Sequence, residues 1–259
     1  SSQHDNPSFA RLKQTRLFEQ LVESLSTRTG TLPGLGCFYG PAGLGKSFAA
    51  LAYINNLRDK ARKEDLPGAM PSWPVYVPLV SFSSKKSVLE TIVRELGLRP
   101  GRTMLEMLAQ VTDELRLSQR AIVVDEMDHL VERNAVEIIR DIYEISKTPI
   151  IMIGEEAFPR KLRRWERMHS RVLVWQAAEL ASRDDVNQLA PIYAPGIDLA
   201  SDLKARILEL SGGAVRRVCV NLERIRARCA EEGWKKIDLA AWGNTELYTG
   251  DAPPRRAQA

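Results

Sequence analysis

The octapeptide Gly40-Pro41-Ala42-Gly43-Leu44-Gly45-Lys46-Ser47 has the spacing G-x-x-x-x-G-K-S, and few chain paths can use such a segment. Glycine lets a backbone turn left-handed and approach a ligand closely. Before the loop, Leu35–Tyr39 is a short apolar run with strand character; after it, FAALAYINNLRDKARK has helical spacing. A strand, a glycine loop and a helix in that order gather loop N–H groups and the positive end of a helix at one point, which makes a site for phosphate. Within it, Lys46 is suited to the outer phosphates of a nucleotide and the Ser47 hydroxyl to Mg²⁺.

A phosphate site of this kind needs acids to use it. Ala121-Ile122-Val123-Val124-Asp125-Glu126 is an apolar strand that ends in two carboxylates. Asp125 is the expected Mg²⁺ partner, through water, and Glu126 the expected general base for an attacking water. Neighbouring residues on a strand point in opposite directions, so two different roles fit the pair. Asp128 and His129 read as helix-start or surface residues.

The rest of the chain alternates strand and helix. VYVPLVSF reads as a second strand, SSKKSVLETIVRELGL as a helix with Ser83 or Ser84 as N-cap, and RTMLEMLAQVTDELRLSQ as another helix. NAVEIIRDIYEISK is again helical, with Val136, Ile139, Ile142 and Tyr143 on one face, and PIIMIG is a fourth strand. Residues 8–28 form an amphipathic helix ahead of them all. The expected fold is α/β, a parallel sheet sandwiched by helices. From about Glu179 the strand pattern stops and short helices follow. We therefore expect a nucleotide-binding domain over residues 1–178, a small all-helical lid over 179–248 and a disordered tail over 249–259.

Composition excludes several alternatives. With 259 residues, 44% hydrophobic and 27% charged, the chain is long enough for a large and a small domain. No apolar run approaches the roughly 20 residues that span a bilayer, and SSQHDNPSFARLKQ is too polar for a signal peptide, so a cytoplasmic protein without a membrane partner is expected. Cys37, Cys219 and Cys229 are odd in number, far apart and without a histidine cluster, which fits reduced thiols rather than disulfides or zinc. The net charge of +4 permits nucleic-acid binding without requiring it.

Glycine loop, acid-tipped strand, further strand and helical lid arrive in the order of the AAA+ ATPases, which the sequence resembles over most of its length. VVDEMDHL and the compact layout look most like the DNA-transposition ATPases, the phage Mu B protein and its relatives. The phage Mu B protein carries an extra N-terminal helix-turn-helix domain, whereas this chain starts almost directly at the nucleotide-binding part, so that domain is expected to be lacking or trimmed. The resemblance implies ATP and Mg²⁺ as cofactors, with ATP hydrolysed to ADP and phosphate. It implies a homo-oligomer, ring or helical filament, on duplex DNA, and a DDE-type transposase as the partner it activates after selecting target DNA. Gly213-Ala214-Val215-Arg216 is similar to the lid motif whose arginine reaches the γ-phosphate, with Arg216 first and Arg217 second. Met168-His169-Ser170-Arg171-Val172 resembles the box that lends an arginine finger to the next subunit, with Arg171 ahead of Arg167 and Arg164. After the fourth strand, Glu155-Glu156 stands where the family has a neutral polar γ-phosphate sensor. Trp165, amid five arginines and a lysine, reads as core packing.

Lys85 and Lys86 open the helix after the second strand, where the resemblance puts the DNA-facing pore surface. Lysines there contact phosphates without reading bases, so DNA binding is expected to be nonspecific. A replicative helicase loader and a nucleotide-gated signalling switch without DNA binding are the rival functions.

Overall fold

The computed structural model describes residues 12–26, 34–64 and 71–251. Most of the expected tail and the ends of the expected 8–28 helix lie outside the described residues. The elements in order are α1 (Lys13–Ser26), β1 (Leu35–Tyr39), α2 (Lys46–Glu64), β2 (Val75–Pro78), α3 (Lys85–Glu95), α4 (Met104–Ser118), β3 (Ile122–Asp125), α5 (Asp128–Glu132), α6 (Glu137–Ser146), β4 (Ile150–Gly154), α7 (Phe158–Leu162), α8 (Glu166–His169) and β5 (Val172–Ala177). There follow α9 (Arg183–Tyr193), β6 (Asp198–Leu199), α10 (Ser201–Leu210), α11 (Val215–Glu232), β7 (Lys236–Ile237) and α12 (Leu239–Trp242).

Five parallel strands form one sheet in the order β2-β3-β4-β1-β5. Alternation along each strand divides its side chains between two cores. Cys37, Val124 and Met152 face one side, where Leu89, Ile92 and Val93 of α3, Met107, Val111 and Leu115 of α4 and Ile139 and Ile142 of α6 cover them. Phe38, Val123, Ile151 and Ile153 face the other, under Phe18, Leu21 and Leu25 of α1 and Ala49, Ala50 and Ile54 of α2. Strands covered on both faces read as unbroken apolar runs, which is why VVD and IIMIG show no polar alternation. Each buried aliphatic side chain in these layers contributes about 1.5–3 kcal/mol relative to exposure.

Helix starts follow local chemistry. Ser84 caps α3 in a box with Ser87, Thr103 caps α4 in a box with Glu106, and Ser182 caps α9 in a box with Asp185. Each box satisfies two N–H groups that the first helical turn leaves without a partner.

The chain divides into two compact units. Gln14–Ala42 and Lys46–Ala178 form the first, and Gly43–Gly45, with Leu12, Lys13 and the described residues from Glu179 onward, form the second. In the second unit α9, α10 and α11 enclose Val186, Leu189, Leu203, Ile207, Val218 and Leu222. Three expectations need correcting. A fifth strand, β5, runs beside β1 over VLVWQA, which sequence reasoning passed over between the arginine-rich segment and the lid. β2 stops at Pro78, so LVSF is a turn rather than strand. The region after Glu179 is not wholly helical, because β6 and β7 pair in parallel.

Candidate functional site

The loop Gly40–Ser47 runs from the end of β1 into the first turn of α2. Gly43 and Gly45 hold φ of 83° and 86°, the left-handed region that glycine takes without a Cβ clash. Lys46 opens α2, and its ammonium donates to the carbonyls of Gly40 at 2.7 Å and Pro41 at 2.9 Å, so the cation lies across the loop. No acid sits in the first turn of α2, which leaves the positive end of that helix free to attract an anion. Burial lowers the Lys46 pKa, opposed in order by the charges of Glu126, Asp125, Glu155 and Asp128. Four carboxylates therefore lie within electrostatic reach of the loop's lysine.

Asp125 is buried at the tip of β3, and both of its carboxylate oxygens are engaged. Oδ1 accepts the Glu126 N–H at 2.8 Å, and Oδ2 accepts the Tyr76 hydroxyl. Tyr76 is also within hydrogen-bonding reach of Ser47, so Ser47, Tyr76 and Asp125 form one polar cluster. Burial, followed by the charge and hydrogen bond of Asp125, raises the Tyr76 pKa, and the phenol stays protonated. The Asp125 carbonyl accepts the Leu79 N–H at 3.1 Å, and Met127 N–H donates to Ile153 O at 2.9 Å, which fixes the strand tip between its neighbours.

Glu126 departs from the strand rather than alternating on it. Its φ is 58°, so the chain turns left-handed immediately after Asp125. The two carboxylates are separated by this reversal and not by the pleat of a strand, which corrects the expectation. Glu126 is solvent-accessible, yet partial desolvation and then the charge of Asp125 raise its pKa, while His129 and Lys46 pull it down.

Asp128 is not a surface residue. It is 3% exposed at the start of α5. Its Oδ2 accepts the Glu155 N–H at 2.7 Å and its Oδ1 pairs with Lys161 at 2.9 Å. The salt bridge ties the segment after β3 to α7, and the backbone bond ties it to the end of β4. Sequence reasoning missed this aspartate, Lys161 and Tyr76. A tyrosine between two valines on a strand that neighbours the acid-tipped strand was the available signal.

The remaining candidates lie apart from this cluster. Arg171 precedes β5, and its carbonyl accepts the Leu35 N–H at the start of β1. The glycine loop follows the other end of β1, about 15 Å away at the usual rise per strand residue. The Arg171 guanidinium pairs with Glu144 and donates to Arg167 O. Arg164 donates to Val131 O at 3.1 Å, and Trp165 packs partly buried against the core. In the second unit Arg216 is exposed and its N–H donates to Gly43 O at 3.2 Å. Arg217 instead lies over Gly250, where an added Cβ would sit 2.6 Å from its Nε. Lys85 and Lys86 open α3 half-exposed, 3.9 Å from Glu137 and 3.7 Å from Glu90.

The residues suit magnesium. Ser47 and Asp125 offer hard oxygen donors in one cluster, and among the described residues no group of three or more His, Cys, Asp or Glu could hold a metal ion unaided. Mg²⁺ keeps several waters and takes only one or two protein ligands when phosphates supply the rest, which matches so sparse a donor set. Among the described residues no helix is long and apolar enough to cross a membrane.

No curated protein matches the sequence. Several solved structures share the fold at low identity. The ORC1 protein of Aeropyrum pernix, solved in complex with DNA, matches with a TM-score of 0.63 and 20% identity over 86% of this chain and 61% of its own. Cdc6p of Pyrobaculum aerophilum matches with a TM-score of 0.59 and 15% identity over 92% and 66%. Domain III of the Thermotoga maritima replication initiation protein DnaA matches with a TM-score of 0.51 and 16% identity over 90% and 91%. The chain thus spans less than two thirds of the length of the two archaeal proteins. A family profile described as an AAA domain matches residues 13–162, from α1 through the glycine loop and the acid-tipped strand to α7. That match covers more than half of the 259 residues, and the chain belongs to the AAA-domain family, with an AAA+ fold.

Proposed function

We propose that this chain is an ATPase that assembles on duplex DNA without sequence preference, selects target DNA and activates a DDE-type transposase. The observation that carries the ATPase part is the gathering of Lys46, Ser47, Asp125 and Glu126 at the end of the glycine loop. The backbone of Gly40–Ser47 wraps the phosphates, and Lys46 bonds the β- and γ-phosphates. Ser47 and Asp125 would hold Mg²⁺. Bound magnesium neutralises charge on the phosphate oxygens. Glu126 takes the proton of the attacking water; its raised pKa makes it a better base than an ordinary glutamate. Arg216 contacts the γ-phosphate in the same subunit. Arg171 serves the nucleotide of a neighbouring subunit, a role supported by its distance from its own loop. Residues 1–178 act as the nucleotide domain and 179–248 as its lid.

The step to DNA rests on Lys85 and Lys86, half-exposed at the start of α3, and the step to transposition on the resemblance of VVDEMDHL. A second reading is a replication protein such as a helicase loader. It is favoured by the matched folds, which include an ORC1 protein solved in complex with DNA, a Cdc6p and a domain of a replication initiation protein. Two binding measurements test these readings. A fluorescent ATP analogue should bind the wild type, and Lys46→Ala should abolish that binding; unchanged affinity in the variant rejects the loop assignment. Duplex and single-stranded DNA should then be titrated with and without ATP. ATP-dependent preference for duplex supports the transposition reading, preference for single strands the loader, and no DNA binding the signalling switch.

A further inference from the structure

The Tyr76 hydroxyl donates to Asp125, the buried carboxylate assigned to magnesium, and no motif calls for a tyrosine at that position. Tyr76 stands opposite Val123 in the β2–β3 register, and its ring packs on the α1–α2 side of the sheet. Asp125 lies two residues beyond Val123 on that side, about 6.6 Å further along the strand. A tyrosine laid along the sheet spans this diagonal and ends at the carboxylate, whereas a phenylalanine ring stops short of it.

The direction of the hydrogen bonds follows from counting protons. An ionised carboxylate only accepts, so the single phenolic proton is given to Asp125 Oδ2. Towards Ser47 the phenol oxygen has only lone pairs left to offer. A hydrogen bond between the two hydroxyls would therefore run from Ser47 to the phenol oxygen. The Ser47 lone pairs are then free for a cation, and Asp125 keeps a spare lone pair on each oxygen.

Resting on the nucleotide reading above, we infer that Tyr76 is a positioning residue for magnesium: the relay through its hydroxyl, which donates to Asp125 and lies within reach of Ser47, orients the carboxylate assigned to the metal. The residue lies on β2, outside the glycine loop and the acid-tipped strand, and acts only through the two side chains it bonds. Outer-shell partners of this kind change metal affinity by about 10–100-fold when removed.

Tyr76→Phe keeps the ring and its packing and deletes the relay. Binding of a fluorescent ADP analogue is titrated with Mg²⁺ and, separately, measured in EDTA. The expected result is unchanged affinity in EDTA and an Mg²⁺ half-saturation raised by about 10–100-fold. Ser47→Ala should give a similar shift, and adding Tyr76→Phe to it should move the value little further, since residues in one network are not additive. An unaltered Mg²⁺ dependence in Tyr76→Phe overturns the proposal. So does an equal loss of affinity in EDTA, a fully additive double variant, or loss of cooperative melting, which would make the hydroxyl part of the fold. If the wild type binds the analogue neither with nor without Mg²⁺, the nucleotide reading itself fails, a result distinct from all of these.

Discussion

Glu126 carries two burdens that do not help folding. It holds a left-handed backbone at φ 58°, which a residue with a Cβ adopts at a cost of about 1–2 kcal/mol, and its carboxyl is partly desolvated beside Asp125. Both follow from placing a second carboxylate at the tip of a buried strand. The pKa is raised in the folded state, so the ionised form costs stability. That cost is complete above the raised pKa and vanishes as pH falls below the ordinary glutamate range. Glu126→Gln should therefore melt at a higher temperature than wild type at neutral pH, and the two melting curves should converge on acidification. The same variant should bind ATP and lose about 100-fold or more in hydrolysis. A neutral-pH midpoint below wild type would reject the desolvation argument, and wild-type turnover would reject Glu126 as the base. At this scale the motif residues were legible because their spacing is tied to phosphate chemistry. Tyr76 and Asp128 were not, because each works through a contact between elements far apart in sequence, Tyr76 with Ser47 and Asp125, Asp128 with Lys161.

Within the five-stranded sheet, β5 was the strand that sequence reasoning overlooked. Its exposed Leu173 and half-buried Val174, Trp175 and Gln176 give neither clean alternation nor a buried run, since an edge strand is covered less evenly than a central one. The helices were legible because their caps are local: Ser84, Thr103 and Ser182 announce themselves within four residues. Recognising β5 changes the meaning of Arg171, which now sits at the start of an edge strand, paired with Glu144 of α6. An arginine so far from its own loop can assist hydrolysis only on a neighbouring subunit. Arg171→Ala should thus leave ATP binding by the isolated subunit nearly intact and lower turnover by about 10³–10⁵-fold. Mixed with Glu126→Gln protein, it should regain activity, because some interfaces then combine an intact base with an intact finger. Steady-state hydrolysis across a series of mixing ratios reads this directly; a flat series rejects action in trans.

For the whole molecule, strand and helix alternation sufficed for the α/β class, but not for the order β2-β3-β4-β1-β5, which depends on long-range pairing. Charge is legible at this scale too, as a sum without an address: +4 is carried by 37 basic and 33 acidic residues, so any DNA path must be local. Lys85 and Lys86 begin a helix capped by Ser84, and the preceding turn is pinned where Leu79 N–H bonds Asp125 O. This backbone bond connects the lysine-bearing segment to the residue proposed to hold magnesium, which would give nucleotide a route to the proposed DNA surface. Their nearest acids, at 3.9 and 3.7 Å, form solvent-screened pairs that a phosphate can displace. Duplex binding should require ATP, ignore sequence and weaken steeply with salt, each phosphate contact adding about −0.9 to the logarithmic slope. Replacing both lysines with alanine should flatten that slope by up to about 1.8 per subunit and weaken every duplex alike, with ATP binding in the absence of DNA unchanged. The measurement is a salt titration of duplex binding, with and without ATP, on wild type and the double variant. An identical slope in the variant moves the DNA path to the Arg160–Arg167 cluster, where Arg163, Arg164 and Arg167 are exposed. Absence of duplex binding at low salt with ATP present removes the transposition reading altogether.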